Sequence, residues 1–212
     1  MTEKSMSIAS KLIRAVSAAL ILSLIVSFCG FSGECNQIRE RVLRLHVLAN
    51  SNTDEDQQLK LKVRDTVVQT AANLFDTAEN EGEAIEQARA RLPEIEAAAQ
   101  NRVYVEGYDY QVKAELCEMY FTTRQYETVT LPAGIYDAVR ITIGEGRGKN
   151  WWCVVFPPMC LSAASDAAEL SDVLDPEQEE IVTQPKKYEI RFKIVEIFED
   201  IGCHFRSWFG GK

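Results

Sequence analysis

The sequence predicts an α+β fold: an antiparallel sheet with two helices on one face, in the order β-α-α-β-β-β. A flexible acidic linker and a C-terminal strand and amphipathic helix follow. Three observations predict it. Apolar residues alternate at period two in R-V-L-R-L-H-V-L-A (41–49), Y-D-Y-Q-V-K-A-E-L (108–116) and I-Y-D-A-V-R-I-T-I (135–143). Between the first two runs, apolar residues instead recur at helical spacing. The later strands are joined by short loops, which favours antiparallel neighbours.

The chain has 212 residues and a formal charge of −9, enough for one ordinary domain with appendages. That charge argues against nucleic acid, whose phosphates need clustered Lys and Arg. There are 6 cysteines and 2 histidines. No C-x-x-C pair occurs, so zinc-ribbon and thioredoxin-like readings lose their support.

Taken in order, residues 1–32 come first. Lys4, Lys11 and Arg14 precede the uncharged run A-V-S-A-A-L-I-L-S-L-I-V-S-F (15–28), and small residues follow. This is the pattern of a secretory signal peptide, with an uncleaved membrane anchor as the alternative. The run falls short of the roughly 20 residues of a spanning helix. Phe28 is too bulky to make Cys29 a good lipidation site. The membrane is expected to be touched only through this segment.

The main domain is expected over 38–161. In the first strand, Leu43, Leu45 and Val47 face a core and Arg44 and His46 face away. Thr53 caps a helix that runs to about Phe75, with Asp54, Glu55 and Asp56 in its first turn. T-A-E-N-E-G (77–82) breaks it. A second helix covers about 83–102, with a kink or restart at Pro93.

G-E-G-R-G-K-N (144–150) tempts a phosphate-loop reading, but the glycine spacing fails and no Ser or Thr stands ready for magnesium. A hairpin turn with glycines at positive φ is expected instead. W-W-C-V-V-F (151–156) is the next strand, apolar on both faces. It is read as either central and covered twice, or carrying a docking patch. Residues 162–186 read as a solvated acidic linker. Residues 187–212 read as an alternating strand, Y-E-I-R-F-K-I, then a helix. Ile194, Ile197, Phe198, Ile201, Phe205 and Trp208 give that helix its apolar spacing, favouring docking on the domain or on a partner over a membrane surface.

No catalytic residue, metal ligand or cofactor site is assigned. A nucleophilic Cys153 or Cys160 would need His46 or His204 as base. Cys153 and Cys160 flank Pro157-Pro158, whose turn could bring their Cα atoms within about 7 Å. They form a candidate disulfide, with free thiols or other partners as the alternatives.

Three blocks resemble the stage II sporulation protein R family: L-R-L-H-V-L-A-N-S-N-T-D-E-D-Q-Q-L-K-L-K-V-R-D (43–65), L-P-A-G-I-Y-D-A-V-R-I-T-I-G-E-G-R-G-K-N-W-W-C-V-V-F-P-P-M-C (131–160) and R-F-K-I-V-E-I-F (191–198). The resemblance implies a non-enzymatic signalling protein of endospore formers. It would be exported from the forespore into the space between forespore and mother cell. There it would activate a membrane-embedded aspartic protease of the mother cell, its partner, which cleaves the sigma-E precursor. On that reading Trp151, Trp152, Phe156, Pro157 and Pro158 are candidate receptor-contact residues, since aromatic anchors carry binding energy. The rival readings are an exported Cys-dependent hydrolase or redox enzyme, and a membrane-anchored septal scaffold.

Overall fold

The computed structural model describes residues 8–74, 78–126, 129–157 and 173–209. Its elements run α1 (Ile8–Arg39), β1 (Leu43–Leu48), α2 (Asp54–Leu74), α3 (Glu81–Val105), β2 (Val112–Phe121), β3 (Arg124–Gln125), β4 (Thr130–Leu131), β5 (Gly134–Ile143), β6 (Asn150–Phe156), α4 (Pro176–Thr183) and α5 (Pro185–Phe209).

The α+β class and the β-α-α-β-β-β core are as the sequence predicts. The helix starts follow their local chemistry. Thr53 Oγ1 accepts the Asp56 backbone N–H at 3.3 Å, which caps α2. Asn80 caps α3 by accepting from Glu83 N at 3.0 Å. Pro93 neither divides nor ends α3, which is a single helix of 25 residues.

The four-stranded sheet has the order β2-β5-β1-β6. β2 pairs antiparallel with β5 from Val112↔Ile143 to Phe121↔Gly134. The departure from expectation is β1. It lies parallel to β5 and antiparallel to β6, so the sheet is mixed. With β1 inserted between them, β5 and β6 cannot form the hairpin read from G-E-G-R-G-K-N. The glycine segment instead crosses the end of β1. Gly144 and Gly146 do take positive φ, 57° and 63°.

The sheet is covered on both faces. On one, α2 and α3 bury Leu59, Val63, Val67, Ala88, Ile95 and Ala99 against Leu43, Leu45, Val47, Val139, Ile141, Cys153 and Val155. α3 also protects the rim strand. Gln100 accepts the Val112 N–H at 2.8 Å and Glu96 accepts the Ala114 N–H at 2.7 Å, so these ladder groups are not left open.

The second face carries a layer that the sequence reading does not contain. Phe31, Cys35 and Ile38 of α1, Leu131 of β4, Ile181 and Val182 of α4, and Tyr188, Phe192 and Val195 of α5 close over Tyr136, Ala138 and Val154. Arg44 and His46, expected to face solvent, lie beneath it with 0% and 4% exposure.

Two C-terminal expectations are corrected. Residues 176–183, placed in the acidic linker, form α4, with Gln178, Ile181 and Val182 buried. Asp175 and Gln178 make a capping box and Pro176 stands at the first helical position, so D-P-E-Q was the signal in the sequence. Residues 162–172 of that stretch lie outside the described residues. Residues 188–194, read as a strand, belong to α5. The alternation of Ile190, Phe192 and Ile194 coexists with a helical series, Tyr188, Phe192 and Val195, and the helical series makes the core contacts.

Arg39 ties the layers together. Its Nη1 donates to the Ala133 carbonyl at 2.6 Å, and its Nη2 pairs with Glu199 of α5 at 2.9 Å. Gln178 reaches from α4 to Glu34 at 3.1 Å and Gln37 at 2.9 Å on α1. The outer half of α1 is different. Ile8, Leu12, Ile13, Val16 and the apolar residues through Val26 are exposed. This is the one helix among the described residues long and apolar enough to cross a membrane, with mean hydropathy 2.3 and that stretch unburied. It is compatible with a signal or an anchor.

Candidate receptor-contact site

β6 is a rim strand whose two faces meet different surroundings along its length. Its C-terminal half is core. Cys153, Val154, Val155 and Phe156 are all buried. A shift of register between Leu43 and Arg44 leaves Val155 without a partner on β1. This bulge turns Phe156 to the same side as Cys153 and Val155, toward α2 and α3, where simple alternation would put it on the opposite face. With 4% exposure, Phe156 is a core residue and offers a partner almost no surface. Pro157 is also buried, and the Phe156–Pro157 peptide is cis. Pro158 lies outside the described residues. Cys153 is disulfide-bonded, and Cys160 lies outside the described residues. Cys29, Cys35 and Cys117 are free thiols.

The N-terminal half of β6 is half open, and it holds the two tryptophans. Trp151 packs partly against the α2–α3 core, and the Arg64 guanidinium lies 4.3 Å from its ring centroid. Trp152, on the other face, stacks flat on His46, with centroids 4.0 Å apart and ring planes within 4°. Phe121 meets the same indole edge-on at 4.8 Å. His46 Nε2 is 3.0 Å from Asn150 Oδ1, and its Nδ1 has no partner among the described residues. Burial holds the His46 pKa below its ordinary value against the Asn150 hydrogen bond, and Arg140 pushes the same way as burial. A neutral imidazole in a stack is therefore the state at neutral pH. It orients Trp152.

The loop before α2 and the glycine segment before β6 hold this half of the strand. Asn50 Oδ1 accepts Glu145 N at 3.0 Å, and Asn50 Nδ2 donates to Asp56 at 2.9 Å. The Asn50 and Ala49 carbonyls accept Arg147 N at 3.1 Å and Gly148 N at 2.9 Å. Lys60, nearly buried, donates to the Lys149 carbonyl at 3.0 Å. A Cβ on Gly148 would overlap the Ser51 carbonyl oxygen. Blocks far apart in sequence, 43–65 and 131–157, thus make one corner with Trp151 and Trp152 at its rim.

On the face of β1 that alternation turns away from α2 and α3 sits Arg44, fully buried. Arg44 is enclosed by Phe121, Tyr136 and Tyr126, with its guanidinium carbon 4.3, 4.8 and 5.7 Å from their ring centroids. Its Nε donates to the Cys153 carbonyl at 3.2 Å and its Nη2 to Tyr126 OH at 2.7 Å. The signal available in sequence was the aromatic set at 121, 126 and 136, which no strand alternation alone explains.

A separate cleft of about 500 Å³ is lined by Asn36, Arg39, Glu40, Glu81, Glu118, Asp137 and Glu199 among others. Burial, then Asp137 and Glu40, push Glu81 up to about 7. Burial and Glu118 raise Asp137. Among the described residues, no group of three or more His, Cys, Asp or Glu is placed to hold a metal.

A sequence model of stage II sporulation protein R matches residues 39–166. That span takes in the sheet, α2, α3 and the corner just described. A relative of that name from Bacillus subtilis (strain 168) is 37% identical over 140 residues, 66% of this chain and 62% of the relative. The match therefore spans less than two thirds of that relative's length. No solved structure matches the chain. With the family's pattern running through every strand of the central sheet, the chain belongs to the stage II sporulation protein R family.

Proposed function

We propose that this chain is the exported signal that activates a membrane-embedded aspartic protease of the mother cell, and so triggers cleavage of the sigma-E precursor. Family membership over residues 39–166 is the observation that carries this reading. The geometry supports a contact rather than a reaction. Trp151 and Trp152 form a rigid, half-open aromatic pair, held by Arg64 on one side and His46 on the other. Such pre-ordered aromatics lose little entropy when a partner covers them. A protein ligand activates a receptor only by binding its active state more tightly than its inactive one.

The test is reconstitution. Purified chain is added to membranes that hold the protease and its sigma precursor. Cleavage is expected to rise with added chain, and no rise would overturn direct activation. Trp152→Ala is expected to weaken activation about tenfold, the scale of a 1.4 kcal/mol contact. Circular dichroism and the melting temperature report separately whether loss of the His46 stack has harmed the fold. Full activation by both Trp151→Ala and Trp152→Ala would place the contact elsewhere.

A further inference from the structure

α5 has two apolar faces, and only one is used. Tyr188, Phe192 and Val195 pack into the core. On the opposite side Ile190, Ile194, Ile197, Phe198 and Ile201 are 77, 37, 57, 61 and 51% exposed. Ile194, Ile197, Phe198 and Ile201, which give the helix its apolar spacing in sequence, are thus exposed, and docking uses a different set. A stripe of this size on a folded domain calls for a cover.

Two observations identify that cover. The stripe begins where the apolar half of α1 leaves the domain: Phe28 of α1 and Phe198 of α5 meet with centroids 5.2 Å apart. Phe31, one turn further into the domain, contacts the buried face instead, through Tyr188 at 5.6 Å and Phe192 at 5.5 Å. The exposed apolar surface of α1 therefore runs without a break into that of α5. The second observation is charge. Lys187 and Arg191 lie along one flank of the stripe and Lys186 and Lys193 along the other, all exposed. Glu189, Glu196 and Asp200 lie further round, toward the core-facing side. In a chain of net charge −9, this helix places its bases beside its apolar edge. Lysine and arginine stems at such an edge extend along apolar surface and put their charges at headgroup level.

We propose that α5 is an interfacial helix: its Ile190–Ile194–Ile197–Ile201 face lies in an anionic lipid surface, at the foot of a membrane-inserted α1. The domain would then sit directly on the bilayer, with the sheet held at a fixed height above it. This rests on α1 entering the membrane, and it does not depend on what the domain activates.

The test uses the full chain in vesicles of phosphatidylglycerol and brominated phosphatidylcholine, whose bromines quench tryptophan in the acyl region. Three variants add one tryptophan each: Ile201→Trp on the stripe, Glu189→Trp on the polar side, and Leu22→Trp in α1. The three native tryptophans give a constant background. The expected result is loss of the added emission at 201, comparable to the loss at 22, with none at 189. Quenching at 22 without quenching at 201 overturns the inference and leaves the anchor reading intact. No quenching at 22 removes its premise and overturns it as well. A chain that cross-links to a second copy through 201, unquenched by lipid, would show that the stripe is a dimer seam instead.

Discussion

A guanidinium with no exposed surface is costly unless its charge and donors are answered. Three aromatic rings answer the charge of Arg44, and a carbonyl and a phenol take its Nε and Nη2, while its Nη1 has no hydrogen-bond partner among the described residues. Cation–π attraction gains when water is excluded, and Arg offers it a flat face that Lys lacks. Arg44→Ala should lower unfolding stability by about 3 kcal/mol, because it leaves a cavity among the rings. Arg44→Met keeps the apolar stem and should cost less than about 1.5 kcal/mol. Urea unfolding of the detergent-solubilised chain measures both. Equal losses would mean that polar contacts, not ring packing, dominate. At Glu81 the ionised form is the disfavoured one. Its folded pKa stands at about 7 against an ordinary 4.5, so between those values the folded chain holds a proton that the unfolded chain releases. Stability therefore falls as pH rises through that window. Its place in the first turn of α3 favours the charged form, but burial and two neighbouring carboxylates outweigh this. Glu81→Gln should raise stability by about 1 kcal/mol at pH 8, allowing for solvent screening, and leave it unchanged at pH 4. An equal effect at both pH values would sink the titration argument.

At the scale of elements, what was legible in sequence was what is local. The Thr53 cap, the α2 and α3 faces and the alternation of β5 are set by neighbours within one turn or one pleat, and they formed as read, whereas the strand read at 108–116 begins at Val112 and runs on to Phe121. What was not legible was which strand lies beside which. Period-two alternation places Leu43, Leu45 and Val47 on one face, but it is silent on whether β1 sits at a rim or in the middle. Here β1 enters between β5 and β6. The glycine segment therefore bridges over its end instead of turning a hairpin. That bridge makes Gly148 a contact position, with its backbone against Ser51 and Ala49. A Cβ there would meet backbone, which cannot yield as a flexible side-chain tip can. Gly148→Ala should cost about 2 kcal/mol or more and shift β6 relative to α2. The loss of the Arg64–Trp151 contact should appear as altered tryptophan emission. A variant of unchanged stability would show that the loop adapts without strain.

For the whole molecule, the boundary between leader and domain decides how the chain can be processed. Composition suggests a leader of residues 1–32, since nothing in that stretch itself says where burial begins. In the fold, α1 is continuous to Arg39, and burial begins with the residues around Phe28. Phe31, Cys35 and Ile38 are part of the second layer, and Arg39 joins it to the sheet and to α5. Residues 10–26 lie outside that layer, with no buried apolar side chain among them. Among the described residues, a cut before Phe28 removes no buried apolar side chain. A cut after Ser32 removes the ring of Phe31 and opens the space between α1 and α5, at a cost of about 3 kcal/mol for one large apolar side chain. A chain that begins at Ser27 should therefore unfold in urea at the same midpoint as the full chain. One that begins at Asn36 lacks Phe28, Phe31 and Cys35, and should lose the second layer first. Exchange protection would then disappear from α4 and α5 while α2, α3 and the β1 amides, paired with β5 and β6, keep theirs. If the two truncated chains prove equally stable, the inner half of α1 is a passenger and the leader can end anywhere before Arg39. If they differ as argued, the second layer needs the inner half of α1, and a mature chain that keeps this layer begins before Asn36.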